Sequence, residues 1–135
     1  MPKRASGTFE VKLNPLEPHY KIEGTLLARL SIEKQFQGDL EASSQGEMLS
    51  AGTTTQGSAG YVAIEHVSGT LEGRTGTFVL QHNGTMTRGV GQLSVTVVPD
   101  SGTDQLTGLT GSMTILIEAG KHFYSFDYSL EQPSS

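Results

Sequence analysis

The phrase Gly73-Arg74-Thr75-Gly76-Thr77-Phe78 recurs in outline as Gly108-Leu109-Thr110-Gly111-Ser112-Met113. In each copy two glycines flank a threonine immediately before an alternating apolar run. Glycine reaches positive φ at little steric cost, and a threonine hydroxyl can bond the neighbouring backbone, so each copy reads as a sharp turn that launches a strand. One strand-turn-strand unit used twice points to an all-β barrel or sandwich, and it carries no chemistry of its own.

The 135 residues suit one domain spanning residues 1–135, large enough to bury a core without metal or disulfide staples. The chain has no cysteine, which removes disulfides, thiolate metal sites and a thiol nucleophile together and is compatible with a reducing compartment. Met1-Pro2-Lys3-Arg4 is followed by Ala5-Ser6-Gly7-Thr8 instead of an apolar run, so neither a signal peptide nor a membrane partner is expected and the expected location is cytoplasmic. A net charge of −5, with nine Lys and Arg scattered along the chain, argues against nucleic acid as a partner. Seventeen glycines and no tryptophan, without helical periodicity, leave helix a minor component.

Phe9, Val11 and Leu13 alternate with polar neighbours until Pro15 and Pro18, which predicts a short first strand. Leu26, Ala28, Leu30, Ile32 and Phe36 share a face against Arg29, Ser31, Glu33 and Gln35, the clearest period-two pattern in the chain. Arg29 and Glu33 read as a solvated pair on that outer face. A more polar strand over 39–50 leads to a loop over 51–60, and a strand over 61–71 precedes the first glycine turn. The next strand is expected to run to Met86 and reverse at Arg88-Gly89, with Gly84 marking a bulge or a close approach, in preference to a hairpin at Asn83-Gly84. Leu93, Val95 and Val97 form a further strand, the second glycine turn launches 112–118, and Gly120-Lys121 reverses into 122–130. About eight short-linked strands describe an antiparallel barrel or sandwich.

The last strand puts His122, Tyr124, Phe126, Tyr128 and Leu130 on one inward face, and Phe78, Leu80 and His82 share another. Two interior histidines are either core groups satisfied by carbonyls and tyrosine hydroxyls or polar tips in an apolar pocket that orient a small ligand. Glu65 follows the face of Tyr61, Ala63 and Val67, but Ile64 and His66 make an alternative face, and exposure is the commoner fate of a carboxylate. Glu118 closes an apolar strand, and Arg74 sits in a turn where it could meet an anionic group or simply be solvated. No His-x-His or His-x-x-x-His spacing, Gly-x-Ser-x-Gly elbow or P-loop occurs, so no metal site or cofactor is expected.

Tyr61 to Glu65, Gly69 to His82, Val98-Pro99-Asp100-Ser101-Gly102-Thr103, Leu106 to Gly111 and Phe126-Asp127-Tyr128 resemble a bacterial family known as domain of unknown function 3224. That resemblance covers nearly the whole chain and implies an eight-stranded barrel of the allene oxide cyclase type, a superfamily that includes the dirigent proteins. Their Gly-Gly-x-Gly-x-Phe turn is matched at Gly73, Gly76 and Phe78, with Arg74 in place of the second glycine. The likeness implies a barrel enclosing a small apolar molecule and often assembled as a trimer, and it carries over no catalytic residue.

Three readings follow. The barrel encloses a small, mainly apolar ligand touched by His82, His122 and Tyr124, with Glu65, Arg74 and Glu118 as further candidates, and acts as an isomerase or cyclase. Alternatively it carries the ligand without chemistry, or its core is filled and its surface makes the interactions. Apolar residues on both faces of 61–71, such as Tyr61 with Val67 against Val62 with Ile64, lead to the expectation of a homo-oligomer.

Overall fold

A computed structural model describes residues 3–18 and 20–130. Eight antiparallel strands close into a barrel: β1 (Lys3–Leu16), β2 (Leu26–Gly38), β3 (Leu40–Gly52), β4 (Ala59–Leu71), β5 (Arg74–Thr87), β6 (Val90–Val97), β7 (Leu109–Glu118) and β8 (Lys121–Leu130). Among the described residues helix is confined to one 3-10 turn at Asp104–Leu106. Each strand pairs with its sequence neighbour, and β1 closes the ring by pairing with β8 from Lys3↔Tyr128 to Phe9↔His122.

Both glycine phrases work as turns. Gly73 and Gly108 each adopt φ of 86° immediately before β5 and β7. Gly76 has a separate reason to be glycine: a Cβ there would lie 2.3 Å from the Thr103 carbonyl oxygen. The loop between β6 and β7 folds back against β5 at this point, with Thr77 N–H donating to Thr103 Oγ1 at 3.0 Å and Thr103 N–H to the Thr77 carbonyl at 2.9 Å. That loop carries Leu106 into the core, where it is fully buried.

The barrel therefore has two unlike ends. At the end holding the β2–β3 and β4–β5 turns, Phe36, Leu40, Leu71, Phe78, Leu106, Leu109, Phe126 and Tyr128 fill the interior. Phe126 stacks on Phe78 at 5.9 Å and on Tyr128 at 5.4 Å. At the opposite end the inward positions open to solvent: Leu26 is 74% exposed, Ile117 64%, Met86 and Leu93 both 47%. One seam is also thin, because β6 and β7 are in register only at Thr96↔Ser112, and toward the open end their ladder stops.

Several expectations need correction. The first strand is long, 14 residues, because beyond Phe9 it pairs with β2 alone, and a strand with one free side tolerates Pro15. Leu26 belongs to the inward face but lies at the open rim, so period-two patterning placed it correctly and could not report its depth. Arg29 bonds Glu47 across the β2–β3 ladder at 2.8 Å instead of standing with Glu33. Turns at Arg88-Gly89 and Gly120 fall where the sequence puts them, and β5 runs past Asn83-Gly84 without a hairpin.

Because Phe126 is fully buried between two stacked rings, Phe126→Ala should cost about 3 to 5 kcal/mol in denaturant unfolding. A loss below about 1 kcal/mol would show that this face is not the core.

Candidate functional site

Halfway along the barrel the apolar filling gives way to charge. Lys34 on β2, Ser44 on β3, Glu65 on β4 and His82 on β5 all point inward and are all buried, with Glu65 at 0% exposure. Their proximity follows from register. Lys34 pairs with Ser44, Glu65 pairs with Gly46 and Leu80, and His82 lies opposite Ala63, diagonal to both Glu65 and Tyr61.

The Glu65 carboxylate collects three donors. Lys34 Nζ reaches Oε1 at 2.9 Å, His82 Nε2 reaches Oε1 at 2.6 Å, and Ser44 Oγ donates to Oε2 at 2.5 Å. Burial pushes the carboxyl up. The His82 hydrogen bond, the Lys34 charge and the bonds from Ser44 and Lys34 together outweigh that effect and hold its pKa down at about 2. Lys34 also lies over the Phe9 ring, 4.8 Å from its centroid, and 5.8 Å from that of Phe36, so its ammonium is flanked by π faces.

His82 continues the chain outward, since its Nδ1 meets the Tyr61 hydroxyl at 3.4 Å. Tyr61 is half-buried, and both burial and the Glu65 charge push its phenol pKa up, so it stays neutral. A Cβ on Gly84 would lie 2.4 Å from the Tyr61 ring, so the bare backbone of β5 is what gives that ring its seat. Tyr61 and Gly84 form one wall of a depression of about 480 Å³ at the open end, with Met86, Leu93 and Ile117 among its other walls. Leu93 on β6 and Ile117 on β7 both line it, beside the seam where the β6–β7 ladder stops.

The sequence candidates separate accordingly. Glu65 and His82 are brought into contact, and Glu65 faces inward, against the commoner expectation of exposure. Tyr124 is buried as a clasp: its hydroxyl accepts from Leu40 N–H at 2.9 Å and donates to the Gln37 carbonyl at 3.0 Å, which ties β8 to the β2–β3 turn. His122 packs on Phe9 at 5.1 Å beside a separate depression of about 430 Å³. Arg74 starts β5 at the closed end, where Tyr128 bonds Glu72, and Glu118 is exposed at the rim. His19 lies outside the described residues.

Lys34, Ser44 and the role of Tyr61 escaped sequence reasoning. Lys34 did leave a signal, because it shares the parity of Ile32 and Phe36 and is a lone charge in their apolar run. Among the described residues no three His, Asp or Glu side chains converge as metal ligands. At Glu65 the Lys34 ammonium already takes the place a cation would hold.

The pKa of Glu65 has a consequence for stability. Its folded-state value of about 2 lies below the ordinary 4.5, so the ionised group contributes stability that is complete above pH 4.5 and is lost as pH falls toward 2. Glu65→Gln should remove this part of the acid dependence and cost about 3 to 5 kcal/mol at neutral pH, since Lys34 is left buried without a counter-charge. Denaturant unfolding of both proteins from pH 7 downward measures this, and parallel pH curves would contradict it.

The comparisons with known proteins agree with the architecture. The family model described as "Protein of unknown function (DUF3224)" matches residues 5–128. No curated protein matches the chain. The crystal structure of a protein with unknown function from the DUF3224 family of Shewanella oneidensis MR-1 is similar at 51% identity, covering 98% of this chain and 100% of that one, with a TM-score of 0.94. With the family match spanning nearly all of the barrel, the chain belongs to the DUF3224 family.

Proposed function

We propose that the barrel binds a small, mainly apolar ligand at its open end, held against Tyr61. The supporting observation is that a half-buried tyrosine on an apolar cavity wall has its hydroxyl backed by His82, which is itself fixed by a fully buried carboxylate. Small-molecule sites combine apolar walls with a few such fixed polar groups, and about 480 Å³ lies in their usual size range. The Gly73, Gly76 and Phe78 turn fits kinship with barrels of the allene oxide cyclase type, which would make shape-directed isomerisation or cyclisation the chemistry to look for. His122 and Tyr124 are not part of this proposal, since neither borders the cavity.

A neutral naphthylamine dye tests it. Its fluorescence should rise saturably with the native protein, and Leu93→Arg should weaken binding at least tenfold while shifting Tm by only a few degrees, because Leu93 is half-exposed. No saturable signal from the native protein, or undiminished binding by the variant, would contradict the reading.

Self-association is proposed for the outside of the same barrel. Leu49, Val62 and Ile64 are exposed on the outer face, and Leu49 and Val62 stand directly opposite in the β3–β4 ladder. A second copy would cover them. Sedimentation at micromolar concentration should show dimers or larger species that Val62→Lys dissociates, and monomer alone would contradict this.

A further inference from the structure

The hydrogen-bond polarity of the cavity can be read from the charge count beneath it. An ionised carboxylate only accepts hydrogen bonds, so the His82 nitrogen that meets Glu65, Nε2, carries a proton. Whether Nδ1 carries one too depends on the charges around the ring. Facing His82 are Glu65 and Tyr61 from β4 and Lys34 from β2, while the β6 residue opposite it in register is Val95. Lys34 already neutralises Glu65, and both Lys34 and His82 meet the same oxygen, Oε1. A second proton on the ring would leave one uncompensated positive charge in a buried space lined by Phe9 and Phe36. Burying an unpaired charge is far more costly than burying a neutral ring.

The imidazole is therefore neutral, with Nδ1 as a bare acceptor. Tyr61 is the group in front of it, and a neutral phenol has a single proton to give. That proton goes to Nδ1, which leaves only lone pairs of the Tyr61 oxygen for the cavity. We infer that the site accepts a hydrogen bond and selects apolar ligands that carry a donor, such as a phenol or alcohol, over otherwise equal ligands that carry only an acceptor. Glu65, Lys34 and His82 act here as positioning residues, and Tyr61 is the group that touches the ligand.

This inference rests on the binding reading above. 1-Naphthol and its methyl ether share the same ring system and differ in the O–H donor, and calorimetric titration of the native protein and of Tyr61→Phe with both separates the two claims. The naphthol should bind the native protein about fivefold more tightly than the ether, a neutral hydrogen bond's worth, and the preference should vanish in Tyr61→Phe. If both bind equally, or the ether binds better, the cavity stands and the inferred polarity is wrong. If neither binds, the cavity reading fails and the inferred ligand class with it. Nitrogen NMR of the His82 ring gives a readout independent of any ligand: Nε2 should be protonated and Nδ1 bare at neutral pH, and a protonated Nδ1 would overturn the inference.

Discussion

The interior of this barrel is organised around one ion pair, Lys34 to Glu65, placed where an eight-stranded barrel could have held only apolar side chains. Removing two charges from water costs several kcal/mol each, and their attraction repays that only if the remaining lone pairs and protons are also satisfied. Here they are, through Ser44, His82 and the faces of Phe9 and Phe36. No buried side-chain nitrogen or oxygen among the described residues lacks a partner. A hydrophobic replacement of similar volume would serve stability as well or better, so the pair is poorly explained as a fastening. Its position gives it another use, as the rigid base of the His82 and Tyr61 chain that ends at the cavity.

The asymmetry of the barrel follows from its connections. At the closed end the short turns and the β6–β7 loop pull in, and that loop contributes Leu106 as a plug while Tyr124 clasps the β2–β3 turn. At the open end no segment among the described residues plays the part of Leu106, and the inward face runs out into solvent as Leu26, Met86, Leu93 and Ile117. The early end of the β6–β7 ladder falls on the side of the barrel where Leu93 and Ile117 line the cavity. The filled interior at one end and the depression at the other belong to one structure.

How much of this was legible depends on what period-two alternation can express. It gives strand faces, and it placed Phe78, Leu80, Tyr124, Phe126 and Tyr128 in the core correctly. It says nothing of depth, which is why Leu26 shares a face with the buried Ile32 and Phe36 and yet lies at the rim. It also failed on β4, where Val62 and Ile64 look as apolar as Ala63 and Val67, because what turns Glu65 inward is its position across the sheets from Lys34 and His82. Cross-strand register is a property of the whole barrel, so the cluster could not be assembled from one strand at a time. Lys34 was the residue most open to discovery: its parity with Ile32 and Phe36 already demanded a buried counter-charge.

The central proposal is that the depression walled by Tyr61, Met86, Leu93 and Ile117 is a chamber that takes up small apolar molecules. The methionines report on it directly, since Met86 lines the cavity and Met113 is buried in the core. With methyl-labelled methionine, titration with naphthalene should move the Met86 resonance saturably and leave that of Met113 in place. An unmoved Met86 resonance, or equal drift of both, would contradict the chamber.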